Sequence, residues 1–311
     1  MNLNEILGTE FSIIQGAMAN ISTGEFAASV SNAGGLGLIA TGGMNADSFR
    51  QEIKDAKALT DKPFGVNIML MNPARDEFAQ IAIEEKVSVI TTGAGNPSSY
   101  IKAWKEAGIT VIPVVSSVTL AKRMESLGVD AVIAEGTESG GHVGELTTMA
   151  LIPQVVSNVS IPVIAAGGIA DGRQYAAALA LGACGIQVGT CLLVASECPI
   201  HENYKEQIIK AKDTSTIVTG RTLGVPVRVL KNTMAREYVK LENELTDKME
   251  LEKLTLGSLR KAVVDGDIRN GSFMAGQVAG QLTTIRPLRE ILTSLTKECN
   301  ETINALSKKN I

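Results

Sequence analysis

His142 is one of only two histidines in the chain, and it ends the run Ser139-Gly140-Gly141-His142, just past the sixth of eight apolar segments. An imidazole titrates near neutrality and so suits proton transfer, and the preceding glycines leave room for a ligand beside it. A lone histidine in a loop is equally compatible with a structural or merely solvated role. A second constellation lies further on. Ala165-Ala166-Gly167-Gly168-Ile169-Ala170-Asp171 follows the seventh apolar segment, and Gln187-Val188-Gly189-Thr190 falls within the eighth. Paired loops of this kind present backbone N–H groups to a phosphate: Gly167, Gly168 and Gly189 permit close approach and Thr190 adds a hydroxyl. Tight turns also use glycine, so each cluster alone would mean little. The glycines match neither the dinucleotide-binding GxGxxG pattern nor a Walker loop, and no lysine stands among them.

These groups need a scaffold that brings segment ends together. The apolar runs are Phe11–Ile14, Leu36–Ala40, Phe64–Leu70, Val87–Thr91, Thr110–Val115, Ala131–Ala134, Val163–Ala166 and Ile186–Leu193, with charged amphipathic stretches such as Ser48–Ala58 and Leu120–Leu127 between them. Apolar residues at consecutive positions suit parallel strands covered on both faces, and Gly108 and Gly128 punctuate helix ends before the next strand. Eight such units predict a closed (β/α)8 TIM barrel with its site at the strand C-termini; a doubly wound open sheet is the alternative. After residue 195 the alternation gives way to charged helix-like stretches, Asn203–Lys212 and Asn232–Leu254. The next barrel helix is expected at Leu288–Ser307. Residues 1–195 and 271–311 are therefore assigned to the barrel, and 196–270 to an inserted, mainly helical lid or substrate region after strand eight. The same insertion could serve as a dimerisation element, and a homodimer is expected.

With 45% hydrophobic and 20% charged residues the chain can bury a large core, and its net charge of −4 gives no global reason to approach nucleic acid or an anionic membrane. Cys184, Cys191, Cys198 and Cys299 lack metal-ligand spacing, so reduced thiols and no metal are expected. The N-terminus lacks the form of a secretory signal. The long uncharged stretch Gln174–Ser196 is interrupted by polar residues and glycines and reads as a buried helix and strand, so a cytoplasmic location without membrane insertion is expected. Between Lys205 and Lys240 eight basic residues face three acidic ones, a local excess that either steers an acidic partner or is a solvated face with internal ion pairs.

The motifs Gln15-Gly16-Ala17-Met18, Ala33-Gly34-Gly35-Leu36-Gly37, Gly65-Val66-Asn67, Thr91-Thr92-Gly93-Ala94-Gly95-Asn96-Pro97 and Ala134-Glu135-Gly136 occur in that order. Together with the histidine loop and Ala165–Asp171, they resemble the superfamily of nitronate monooxygenases and flavin-dependent enoyl-acyl-carrier-protein reductases. Asp61–Leu70 and Gly271-Ser272-Phe273-Met274-Ala275-Gly276-Gln277 are similar to the reductase branch. The resemblance implies FMN, with its phosphate at Gly167, Gly168, Gly189 and Thr190 beside Gln187, and its ring and ribityl chain bounded by Gly16, Ala17, Met18, Asn67 and Glu135. Thr92, Gly93, Ser139, Gly140, Gly141, Met274, Ala275, Gly276 and Gln277 are expected to face flavin or substrate.

It further implies that NADH or NADPH is the reductant, that a 2-enoyl thioester on acyl-carrier protein is reduced at its β-carbon in fatty-acid elongation, and that His142 protonates the α-carbon. The backbone N–H of Gly93 or Gly276 is a candidate to polarise the thioester carbonyl. Solvent protonation, a nitronate monooxygenase in which His142 is a base, and a noncatalytic phosphate-binding barrel remain as alternatives.

Overall fold

The computed structural model describes residues 3–244 and 247–309. Eleven strands are assigned among these, numbered in chain order: β1 Ile13–Gln15, β2 Gly37–Ala40, β3 Phe64–Met69, β4 Val89–Gly93, β5 Thr110–Val115, β6 Val132–Glu135, β7 Gly141–His142, β8 Val163–Ala166, β9 Gly185–Val188, β10 Thr216–Thr219 and β11 Val227–Leu230. All except β7, β10 and β11 form one parallel sheet in the order β1-β9-β8-β6-β5-β4-β3-β2. A parallel bridge between Ile14 and Leu36, with Gln15 N–H donating to the Leu36 carbonyl at 2.9 Å, joins the two ends and makes the sheet a barrel.

Why successive strand residues are all apolar is visible in how the core divides. Ile14, Leu38, Val89, Ile112, Ile133 and Ile164 pack together in one cluster, which the N-terminal helix Leu3–Leu7 joins through Leu3 and Leu7. Their chain neighbours Ile13, Ile39, Ile90, Val111, Val132 and Val163 pack into a second cluster with helix residues such as Phe26, Phe49, Phe78 and Trp104. Side chains alternate across a strand, so burial of both faces demands an unbroken apolar run. Helix starts are chemically marked. Asn45 with Ser48 and Asp171 with Gln174 form capping boxes at the helices Ala46–Leu59 and Gly172–Ala180. The last helix, Leu288–Ser307, runs against Gly172–Ala180, and a Cβ at Gly172 would come within 2.2 Å of Glu298 Cβ.

Three sequence expectations need correction. The eighth apolar run is not strand to Leu193: the backbone turns at Gly189 and continues as a 3₁₀ turn, Thr190–Leu192. The inserted region is mainly helical, as expected, but it also holds the hairpin β10–β11, whose strands carry Thr216, Thr219 and Arg228 among their apolar residues and so lack the unbroken apolar run expected of a buried parallel strand. His142 is not in an open loop. It lies in β7, which pairs antiparallel with β11 through Val227↔His142 and Arg228↔Gly141. The stretch Asn232–Leu254 forms two helices, Thr233–Asn243 and Lys248–Thr255, and residues 245 and 246 lie outside the described residues. No helix among the described residues is long and apolar enough to cross a membrane.

Candidate active site

A cavity of about 700 Å³ opens at the C-terminal ends of the barrel strands. Every barrel strand reaches it through its end or the residue beyond, from Gly16, Ala40 and Asn67 round to Glu135, Ala166 and Val188. Its size suits a cofactor-sized ligand.

The β1 end is locked first. The fully buried Gln15 donates through Nε2 to Ser22 Oγ at 2.8 Å and accepts Leu38 N–H at 3.1 Å, while Ser22 Oγ also accepts Met18 N–H at 2.9 Å. That clamp holds Gly16, Ala17 and Met18 against the cavity. A Cβ on Gly16 would sit 3.4 Å from Gly189 Cα, so the loops after β1 and β9 nearly touch. Asn67 on β3 donates to Thr91 Oγ1 at 2.9 Å, which fixes its amide at the cavity wall.

On the opposite arc, Gly167 and Gly168 follow β8 with φ of +90° and +74°, a region that side-chain-bearing residues rarely adopt. A Cβ at Gly189 would find only Met18 Sδ at 3.7 Å, so space lies over this backbone. Thr190 Oγ1 accepts Gly276 N–H at 2.9 Å, leaving its own hydroxyl hydrogen to donate. That bond removes Gly276 N–H as a candidate to polarise a thioester carbonyl, and the parallel register Met69↔Gly93, with Leu70 N–H donating to the Gly93 carbonyl, commits Gly93 N–H to the β3–β4 ladder as well.

Glu135, at the end of β6, lines the cavity, and desolvation pushes its carboxyl up to about 7. The Ser139 hydroxyl pulls in the other direction, yet it is buried without a hydrogen-bond partner of good geometry, so the pull is proximity rather than a formed bond. An orphaned buried hydroxyl beside a carboxyl in a large cavity is what a polar ligand would satisfy. His142 is exposed at the cavity, and desolvation by the protein packed around it lowers its pKa. Water still reaches the open part of the ring, so the downward push is partial.

Seventeen of the twenty expected site residues line this one cavity. The other three, Thr92, Ala275 and Gln277, do not. Thr92 is buried within β4, Ala275 is fully buried, and Gln277 is exposed with its N–H bonded to the Glu138 carbonyl at 2.9 Å. Glu138 escaped the sequence reading. It lines the cavity, and its carboxylate accepts Thr148 N–H at 2.9 Å and Thr148 Oγ1 at 3.0 Å, tying the histidine-bearing loop to the helix Thr148–Val156. Its only signal was an acid inside a glycine- and serine-rich loop. Leu259, from the inserted region, also reaches the wall and had no local signal.

An FMN fits these residues in outline. Backbone N–H groups and Thr190 would take its phosphate, and Asn67, Glu135 and Ser139 its polar edges and hydroxyls. No lysine or arginine is among the described residues lining the cavity, so the phosphate charge would be met by N–H dipoles and the Thr190 hydroxyl without a cationic side chain.

A closed parallel barrel with a cofactor-sized cavity at its C-terminal mouth and glycine loops after its last two strands is the architecture of (β/α)8-barrel enzymes. A profile of the family described as nitronate monooxygenase matches residues 1–298, and the chain belongs to that family of FMN-dependent oxidoreductases. Among solved structures it is similar to FabK from Thermotoga maritima, with a TM-score of 0.96 and 50% identity over 98% of this chain and 97% of that one. Among curated proteins it is 34% identical to a probable nitronate monooxygenase of Staphylococcus aureus, over 96% of this chain and 97% of the relative. It is also 33% identical to a Mycobacterium tuberculosis (3aS,4S,5R,7aS)-5-hydroxy-7a-methyl-1-oxo-octahydro-1H-indene-4-carboxyl-CoA dehydrogenase, over 94% of each chain. The resemblance read from the motifs, to the flavin-type reductases of this superfamily, is borne out.

Proposed function

We propose that the protein is an FMN-dependent reductase of 2-enoyl thioesters carried on acyl-carrier protein, with NADH or NADPH as reductant. The observation that carries this reading is the likeness to FabK, which at 98% coverage takes in the inserted region as well as the barrel. Bound FMN would supply the hydride. The chain's own contribution is to seat the phosphate on Gly167, Gly168, Gly189 and Thr190, to shape the cavity with residues 196–270 as its cover, and to hold His142 where a proton is needed at the substrate α-carbon. A pKa lowered by desolvation makes His142 a stronger acid but leaves less of it protonated at neutral pH.

That same shift favours a second reading. A neutral imidazole is competent as a base, and the family profile and the Staphylococcus relative carry the name nitronate monooxygenase. Turnover separates the two. The purified protein should show a flavin spectrum, be bleached anaerobically by NADH or NADPH, and be reoxidised by crotonyl thioester. Oxidation of a nitronate by oxygen without nicotinamide, coupled with failure to reduce crotonyl thioester, would assign the monooxygenase reaction instead.

A further inference from the structure

The inserted region does more than cover the cavity. Arg228, in β11, is 7% exposed, and its guanidinium carries three hydrogen bonds to other segments. Nε and Nη2 both donate to the Thr137 carbonyl, at 3.2 and 3.0 Å, and Nη1 donates to Thr216 Oγ1 on β10 at 3.2 Å. Thr137 opens the loop that ends at His142, and its N–H closes that loop by donating to the Leu146 carbonyl at 2.8 Å. In register, Arg228 stands opposite Gly141 and Val227 opposite His142, and Val143 N–H donates to the Pro226 carbonyl at 3.1 Å. One buried arginine thus spans both strands of the hairpin and the root of the histidine loop, while the backbone of its own strand holds the loop's tip.

The chemistry explains the choice of residue. Among the described residues no carboxylate is within hydrogen-bond reach of this guanidinium, and Glu138, which favours its charge from a distance, is occupied by Thr148. A buried cation so placed is costly unless its donors are used, and a guanidinium alone has the planar fork that sends two N–H groups to one carbonyl and a third sideways. A lysine has the charge but not the fork.

We infer that Arg228 is a positioning residue: it fastens the inserted hairpin to the loop at Thr137 and so sets where the His142 imidazole stands over the cavity. The inference rests on the reading of His142 as the group that moves a proton, and its test separates the two. With only His142 and His201 in the chain, imidazole NMR of the ¹⁵N-histidine-labelled holoprotein reports each ring separately. His201 accepts Asn203 N–H at the start of another helix and serves as the internal control.

In Arg228→Met the His142 signals should shift or broaden and its pKa rise towards the ordinary imidazole value, with His201 unchanged. Reoxidation of reduced enzyme by crotonyl thioester should slow about tenfold, the loss expected when a proton-transfer group is misplaced. FMN should stay bound. Arg228→Lys should recover only part of that rate, and if Arg228→Met fails to fold, the lysine variant carries the NMR comparison. Placed on a His142→Ala background, Arg228→Met should cost nothing further, because a positioning residue has nothing left to position. Unmoved His142 signals, or losses that multiply in the double variant, would overturn the inference. Moved signals with unchanged reoxidation would support the strut and overturn the catalytic reading of His142.

Discussion

The two arcs of the cavity are built by opposite strategies. The glycine arc, Gly167-Gly168 and Gly189-Thr190, comes from consecutive residues at the ends of neighbouring strands β8 and β9, paired in register through Ile164↔Gly185 and Ala166↔Gln187. The histidine arc is composite. β6 and the stretch that follows it to β7 supply Glu135, Ser139 and His142, the inserted hairpin holds that stretch through Arg228, and a later passage brings Met274 and Gly276, so three stretches far apart in the chain build this side of the cavity. A ligand contact that stays constant, such as a phosphate, can be built locally on rigid strand ends. A group that must be aimed at a reacting atom draws on supports that only the fold brings together, as the pairing of β7 with β11 does here.

Substitutions on the glycine arc test its half of the contrast most severely. At Gly189, where φ is negative and a Cβ would meet only Met18 Sδ at 3.7 Å, Leu should fold yet block phosphate approach, weakening FMN about a hundredfold or more, on the order of 3 kcal/mol. Gly168→Phe should do the same with added strain, because its φ is +74°. Equilibrium flavin fluorescence reads both, and FMN binding at the wild-type level in both variants would remove the phosphate site.

The next effect belongs to Glu135, where the two arcs meet. Its carboxyl titrates at about 7 in the folded protein and near 4.3 when unfolded, so between those values only the folded state keeps the proton. Flavin-free protein should therefore lose stability as pH rises through this window, by about 2 kcal/mol once the open cavity is allowed for, and level off above it. Glu135→Gln should flatten that slope. Denaturation by urea at pH 5 and pH 8 reads the difference, and an equal slope in both proteins would mean that the carboxyl ionises freely.

For the histidine arc, His142→Ala should keep the fold and the FMN while slowing crotonyl-thioester reduction roughly tenfold or more. If His142 is the acid, the rate should fall as pH rises through a pKa below the ordinary imidazole value, since desolvation lowers it. Wild-type rates in both half-reactions would remove it from the chemistry.

The smallest effect is expected from the basic stretch Lys205–Lys240. Lys205 and Arg228 are buried, and Lys210, Arg221 and Lys240 are paired with Glu206, Glu145 and Glu244. The apparent excess is thus reduced by two buried residues and three surface ion pairs, which leaves Lys212, Lys231 and Arg236 as its remainder. Reversing Lys210, Lys231 and Arg236 should slow reduction of an acyl-carrier-protein substrate only about two- to threefold at low salt, and leave a short coenzyme A thioester unaffected. A tenfold, salt-sensitive loss confined to the carrier-linked substrate would place the docking surface there after all.

The barrel was legible in the sequence because its strands are short, mostly apolar runs and several of its helices mark their starts with capping side chains, as at Asn45, Ser117 and Asp171. Those signals act over a few residues and survive any tertiary arrangement. The place of the glycine arc at the cavity was legible for the same reason, since glycine turns at strand ends are local chemistry. What tertiary structure alone decided is the setting of His142. Two residues, Gly141 and His142, make too short a strand to leave a periodic signal, and β11 pairs with them from more than eighty positions away. Gly276 N–H was spent on Thr190, and Arg228 was drawn to Thr137, by contacts whose partners share no sequence window. Hydrogen bonds between distant segments depend on which surfaces the fold brings together, and no local pattern encodes that choice.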